Sequence, residues 1–405
     1  MARSRRIKQL SLALSIPIVA CIALGGLTYH RIRIVKMERP LIQAVEKSDE
    51  HAVKKLLAGG ADPNSRDRPA QNTGFLAMLK KIIHKDASEH AENYNSVLMI
   101  AAQKSDTGAL HWLLQWGADV KAKGPNGTTA LLEAAAHDNT EGIRMLLDKG
   151  ASIKEKDDAG QDALYLSVSN ALANGWVSAT NLLLDRGADA KTVYPDGLTA
   201  LQIAADKDLT DFFQPLLAHH ADPNVNDSEG TPILIREIHK SDSEAVKALL
   251  DHGADPNCTD GHINALTIIY EMLDGGYLNE YDSGDNPRRS PTARSDIFTA
   301  LLAHGADPNS KDEKNSPLLL CAIHSERVDL VKQLLEAGSN PNIHAKGETP
   351  LMEATKARNI RMVSTLLDHR TEINGKDDGG ATPLTVANYN GDTDIARLLK
   401  QHGAK

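Results

Sequence analysis

Aromatic side chains are scarce in this 405-residue chain, at 4%. That excludes a core of this size built around large rings and leaves layers of Leu, Ala and Ile to do the packing. Cysteine is nearly absent: Cys21, Cys258 and Cys321 make neither a disulfide framework nor a zinc ligand set. Catalytic signatures are missing as well. There is no H-E-x-x-H, no G-x-S-x-G, no P-loop and no G-x-G-x-x-G after a strand, so no enzyme, cofactor or metal site is expected. Histidine is plentiful, with sixteen copies. Three of them, His252, His304 and His402, stand just before a glycine, where a cation suits a helix carboxy terminus.

Basic charge is in short supply beyond residue 39. Residues 1–39 carry eight Lys or Arg and one Glu, whereas the rest has 37 basic and 53 acidic residues, a net of −16. Nucleic acid is excluded as a partner, since its recognition rests on clustered Lys and Arg. A partner protein with a basic surface suits the acidic balance instead.

Near the amino terminus formal charge is missing from "LSLALSIPIVACIALGGLTY", Leu10 to Tyr29. As a helix it would rise about 30 Å, enough to span the hydrocarbon core. A retained anchor is expected, because the run is long for a signal-peptide core and ends in Tyr29 and a basic cluster. A cleaved signal peptide is one alternative. Another is a lipoprotein signal at Ile18-Val19-Ala20-Cys21, which would lipidate Cys21, although the apolar run continues past that cysteine. The chain thus divides into a basic tail (1–9), an anchor or signal segment (10–29), a basic linker (30–39) and a long domain (40–405).

What that domain has in abundance is repetition. Gly-Ala-Asp-Pro-Asn stands at Gly60, Gly253 and Gly305, and equivalent positions fall at Gly117, Gly150, Gly187, His220, Gly338, Arg370 and Gly403. Five of the nine spacings are 33 residues, and the others read as that length with insertions or one deletion. A second marker keeps the same register: Thr349-Pro350-Leu351 and Thr382-Pro383-Leu384, with degenerate copies at Thr129, Thr199 and Ser316. Thr before Pro predicts an N-cap followed by a first-turn proline. In "DLVKQLLEAG", Leu330, Leu334 and Leu335 share a helical face, and Gly338 stops the helix in the left-handed conformation. Each unit therefore reads as helix, turn, helix and protruding polar connector. Neither helix buries its apolar face alone, so stacked neighbours must supply the core.

With this period and these markers the sequence resembles the ankyrin-repeat family, over about ten units and residues 40 to 405. The resemblance implies an all-α solenoid of stacked helix-turn-helix units with hairpin-like loops, here behind one amino-terminal transmembrane helix. It also implies binding of partner proteins through the loop tips and a concave helix face. Nine units carry Leu three residues before the marker and the last carries Lys400, which reads as a terminal cap.

Several departures from the family pattern carry expectations of their own. No unit keeps the histidine after T-P-L, since Leu132, Tyr165, Gln202, Thr267, Met352 and Thr385 replace it, so its hydrogen-bond network should be missing. At Thr231-Pro232 either Arg236 or Glu237 falls where a small residue belongs, and a local distortion is expected. Cys321 is assigned to the small position of its own unit. Insertions are placed near 65–95, where "GFLAMLKKIIHK" (Gly74 to Lys85) has the pattern of an extra helix, and near 274–295, read as a loop.

The expected function is a membrane-anchored scaffold that binds a partner protein, with the repeats on the outer side, in the periplasm if the source is a Gram-negative bacterium. The alternative is an immunity or inhibitor protein that neutralises a toxin or occludes an envelope enzyme. Candidate contact residues lie at connector tips and in the second insertion: Tyr194, Asp196, Asp227, Glu229, Asp260, His262, Tyr277, Tyr281, Lys311, Asp312, Glu313, Lys314, Lys346, Asp377 and Asp378.

Overall fold

A computed structural model describes residues 37–67, 94–171, 177–275, 291–344 and 347–405. Among them the regular elements are helices, and strand geometry is limited to isolated antiparallel bridges such as Lys156 with Asp162 and Lys311 with Pro317. The chain divides into two compact units, one ending at Ile203 and the other beginning at Ala204.

The first unit contains α1 (37–46), α2 (Glu50–Ala58), α3 (Val97–Gln103), α4 (Thr107–Gln115), α5 (Ala130–Ala136), α6 (Thr140–Asp148), α7 (Ala163–Ser169) and α8 (Ser178–Asp185). The boundary falls inside α9 (Ala200–Asp206). In the second unit follow α10 (Phe213–Ala218), α11 (Ile233–Lys240), α12 (Ser243–Asp251), α13 (Ala265–Leu273), α14 (Pro291–Ala303), α15 (Leu318–His324), α16 (Val328–Glu336), α17 (Pro350–Lys356), α18 (Ile360–Leu367), α19 (Pro383–Asn390) and α20 (Thr393–Gln401).

Within each unit the helices form antiparallel pairs, and like packs on like. Helix α3 lies on α5 and α5 on α7, while α2 lies on α4 and α4 on α6. The second unit repeats the scheme with α11 on α13, α15 on α17 and α17 on α19. Most of these helices are seven to nine residues long, too short to persist alone. Their stability comes from burial between neighbours, as in α16, where Leu330, Val331, Leu334 and Leu335 are all buried.

The pentapeptide explains how the pairs are joined. Gly305 closes α14 with φ +91, a conformation that a Cβ would strain. The Ala306 N–H turns back to Leu301 O at 2.9 Å, and its side chain is buried. The final asparagine then clamps the next connector. Asn257 Oδ1 accepts from Asp307 N–H at 2.8 Å and its Nδ2 donates to Gly305 O at 3.2 Å. Asn224 makes the same two bonds to Asp255 and Gly253. Equivalent acceptor contacts join Asn64 to Asp119, Asn309 to Asn340, Asn342 to Glu372 and Asn374 to Lys405.

Several expectations need correction. Thr349 and Thr382 cap their helices with Pro in the first turn, as read from the sequence. At Thr231-Pro232 and Ser316-Pro317 the proline itself is the N-cap, one residue later. The cause is that the Thr231 and Ser316 N–H groups are held back in the connector by Asp227 and Asp312. That shift fixes the register. Glu237 occupies the position held by Ala101, Ala134, Ala322 and Ala354, and Ala322 rather than Cys321 holds it in its own unit.

The expected distortion of α11 is not seen, and the helix runs for eight residues. Accommodation is electrostatic instead. Glu237, fully buried, accepts from Lys240 Nζ at 2.9 Å, and Lys240 also reaches Asp208 at 2.6 Å. Arg236 turns the other way, to Asp206 at 3.2 Å and Asp227 at 3.0 Å.

The network expected to be missing after T-P-L is rewritten. Gln202 Oε1 accepts from Thr199 N–H at 2.9 Å, Thr385 Oγ1 from Thr382 N–H at 2.6 Å, and Thr267 Oγ1 donates to Lys311 O at 3.0 Å. Part of the second insertion is helical, since α14 begins at Pro291. Lys400 is exposed. No helix among the described residues is long and apolar enough to cross a membrane. The segment 10–29, with Cys21, and the stretch 74–85 lie outside the described residues.

Candidate partner-binding surface

Connector tips are built by aspartates that bind their own backbone. Asp312 Oδ1 accepts from Lys314 N–H at 2.9 Å and Ser316 N–H at 2.7 Å. Asp227 does the same with Glu229 and Thr231, Asp377 with Gly379 and Ala381, and Asp260 with His262 and Ile263. This is the Asx turn, which closes a hairpin without a strand ladder. Burial works against the Asp227 anion, but those two N–H groups and Arg236 outweigh it and hold its carboxyl below the usual range. At Asp260 the Ile263 and His262 N–H groups likewise outweigh burial and lower the carboxyl. Four of the candidate contact residues therefore have an internal task.

The residues between these locks face solvent. Glu229, His262, Glu313, Lys314 and Asp378 are exposed, as is Lys311, whose Nζ donates to Asn315 Oδ1 at 3.1 Å. A residue that sequence reasoning missed, Glu271 on α13, joins this row. Its carboxyl is pushed above the ordinary range by burial, then by the like charges of Glu313, Asp312 and Asp260, with Lys314 opposing. Carboxylates from two successive connectors and one helix thus share a single field.

A similar group follows two pairs later. Glu348 is paired with Lys356, while Glu353 lies 3.3 Å from His324 Nε2. Burial and the neighbouring Glu348 push the Glu353 carboxyl upward, and His324 offsets part of the rise. The signal available in sequence for Glu271 and Glu353 was their place on the first helix of a pair, four residues or more past its cap.

In the first unit Tyr194 is not a free anchor. It is buried, its hydroxyl donates to Asp162 Oδ1 at 2.9 Å, and its ring meets Tyr165 edge-on at 4.7 Å. Burial and the Asp162 charge push its phenol pKa upward. Asp196 is exposed and accepts from the Tyr165 hydroxyl at 3.1 Å. Tyr277, Tyr281 and Lys346 lie outside the described residues.

Among the described residues no group of three His, Cys, Asp or Glu is placed to hold a metal ion. Cys258 and Cys321 are free, half-buried thiols, and burial followed by nearby aspartate charge pushes each up to about 12.

Comparison with known proteins agrees with this geometry. A family model described as ankyrin repeats in three copies matches residues 69–157, 164–260, 290–377 and 318–405, and a single-repeat model matches 38–68. Among curated proteins, the E3 ubiquitin-protein ligase KEG of Arabidopsis thaliana is 25% identical over 263 residues, covering 57% of this chain and 16% of its own length. The putative E3 ubiquitin-protein ligase XBAT35 of the same plant is 35% identical over 112 residues, covering 27% of this chain and 24% of that protein. Human SH3 and multiple ankyrin repeat domains protein 2 is 36% identical over 106 residues, 25% of this chain and 6% of that protein. In each case the likeness spans less than a quarter of the relative's length.

Proposed function

Because the chain belongs to the ankyrin-repeat family, we propose that it is a protein-interaction scaffold whose second unit binds a partner with a basic surface. The observation that carries this reading is that the like charges of Glu313, Asp312 and Asp260, from two successive connectors, add to burial in raising the carboxyl of Glu271 on the first helix. Unlike charge on a partner would relieve the mutual repulsion of these carboxylates and steer its approach. Binding requires no chemistry from the scaffold, and no enzymatic role is assigned to it.

The proposal extends to location. The uncharged run from Leu10 to Tyr29, with basic residues on both flanks, is read as an anchor that holds the repeats beside a bilayer, on its outer side.

Capture of partners from a membrane extract by the immobilised full chain tests the binding reading. One stoichiometric partner is expected, with capture that weakens as salt rises and is lost in a Glu271→Gln, Glu313→Lys double variant. Asp312 is left intact so that the hairpin stays closed. Capture by the double variant equal to wild type, at every salt concentration, would sink the reading. For the anchor, release of the chain from membranes by alkaline carbonate would count against a spanning segment.

A further inference from the structure

The asparagine clamp is absent from the middle of the first unit. Where Asn257 stands in its connector, the connectors after α4, α6 and α8 carry Lys121, Lys154 and Lys191. A lysine ammonium has donors only and cannot accept the N–H that the carboxamide oxygen takes elsewhere. Lys121 leaves Ser152 N–H over and Lys154 leaves Asp189 N–H, the counterparts of Asp255 N–H and Asp307 N–H, and neither finds an acceptor among the described residues.

A cavity of about 350 Å³ opens at this junction, between the end of α4 and the end of α6. Leu114 and Val120 supply an apolar wall, and Lys121, Lys149 and Gly150 supply the polar one. Both lysines are exposed, with neither in an ion pair among the described residues. Asp119 also lines the cavity, but one oxygen of its carboxylate is engaged by Lys121 N–H at 2.9 Å. The clamped junctions show what chemistry fits such a gap: an oxygen that accepts from the next connector's N–H. With two ammonium groups beside it, that oxygen is best carried by an anion.

We infer that this gap is a carboxylate-binding site, occupied by an acidic side chain or chain terminus of a polypeptide partner. Ser152 N–H, two residues past the Gly150 that lines the cavity, is the donor by analogy with the clamped junctions, Lys121 and Lys149 balance the charge, and Leu114 with Val120 accepts the methylenes next to the carboxylate. The inference stands apart from the acidic surface of the second unit, which attracts the opposite charge, so either can fail without the other.

Zero-length carbodiimide coupling on the full chain tests it, because an amide forms only where a carboxylate touches an amine. The probe is a capped six-residue Gly/Ser peptide with one glutamate, and its glutamine twin is the control. Peptide adducts are expected on Lys121 and Lys149 ahead of other exposed lysines such as Lys104 and Lys247, and absent with the control. Lys121→Asn restores the residue used at the clamped junctions. It should lower the Lys149 adduct by about tenfold and slow hydrogen exchange at Ser152 N–H. Lys149→Gln should lower the Lys121 adduct without slowing that exchange. Adducts spread evenly over exposed lysines, or a Lys149 adduct unchanged in Lys121→Asn, would overturn the inference. Full displacement of the peptide by inorganic phosphate at equal concentration would reassign the gap to free anions.

Discussion

Lys240 Nζ lies 2.9 Å from Glu237 Oε1, and this carboxylate has no exposed surface at all. Its second oxygen has no hydrogen-bond partner among the described residues. Burial, partly offset by Lys240, pushes the Glu237 carboxyl up to about 7 from 4.5. The sign follows from linkage: a carboxyl raised in the folded state binds its proton more tightly there than in the unfolded chain. Stability therefore falls as pH rises from about 4.5 to about 7, by about 3 kcal/mol in total, and is level above that window. Glu237→Gln should remove this slope and raise the neutral-pH melting temperature. Wild-type and variant unfolding curves that stay parallel from pH 4.5 to 8 would contradict the assignment.

Asn257 should be worth more than its exposure suggests, because it makes two bonds across a pair boundary. Asn257→Ala is expected to cost about 1 kcal/mol and to speed exchange of the Asp307 amide. Asn257→Asp keeps the acceptor and loses the donor, so it should fall between. Equal exchange at Asp307 in all three proteins would show that the clamp contributes nothing.

Arg370 occupies the helix-stop position with φ +55, where Gly305 and Gly338 stand at +91 and +97. Arg370→Gly is expected to stabilise by about 0.5–1 kcal/mol, the strain relieved being partly offset by the freedom glycine gives the unfolded chain. The Asn342 contact to the backbone oxygen of residue 370 survives the change. A lower denaturant midpoint in the variant would mean that the Arg370 side chain has a role of its own.

Cys258 and Cys321, with thiols pushed up to about 12, should alkylate far more slowly than an exposed cysteine at pH 8. Mass spectrometry after a timed iodoacetamide pulse reads this directly. Rapid labelling of the folded chain at both positions would place these sulfurs in a more solvated setting than the one described.

Much of this fold could be read from the sequence because its determinants are local. Gly338 as a helix stop, Thr349 as an N-cap and the leucine stripe of α16 each depend on a few consecutive residues. What escaped depends on groups far apart in the chain. The one-residue shift at Pro232 arises because Asp227 holds the Thr231 N–H, and only that shift places Glu237 among the alanines.

The surface was less legible for a related reason. Asp312 and Glu313 look alike in sequence, yet the backbone turns Asp312 inward to two N–H groups and leaves Glu313 in solvent. Glu271 joins them only because α13 brings it beside the next connector, 42 residues further along the chain. Composition could suggest an acidic face but not which carboxylates share it.

The clamp also bears on how such a chain can change its length. Asn224 meets the N–H of Asp255 and Asn257 meets that of Asp307, so each junction offers the same donor and takes the same acceptor. Excising one whole period between them would bring Asn224 to Asp307, and the new joint would be chemically equal to the two it replaced. Duplicating a period would be equally silent. Junctions bearing Lys121 or Lys154 lack that interchangeability, so gain or loss of modules there would alter the surface as well as the length.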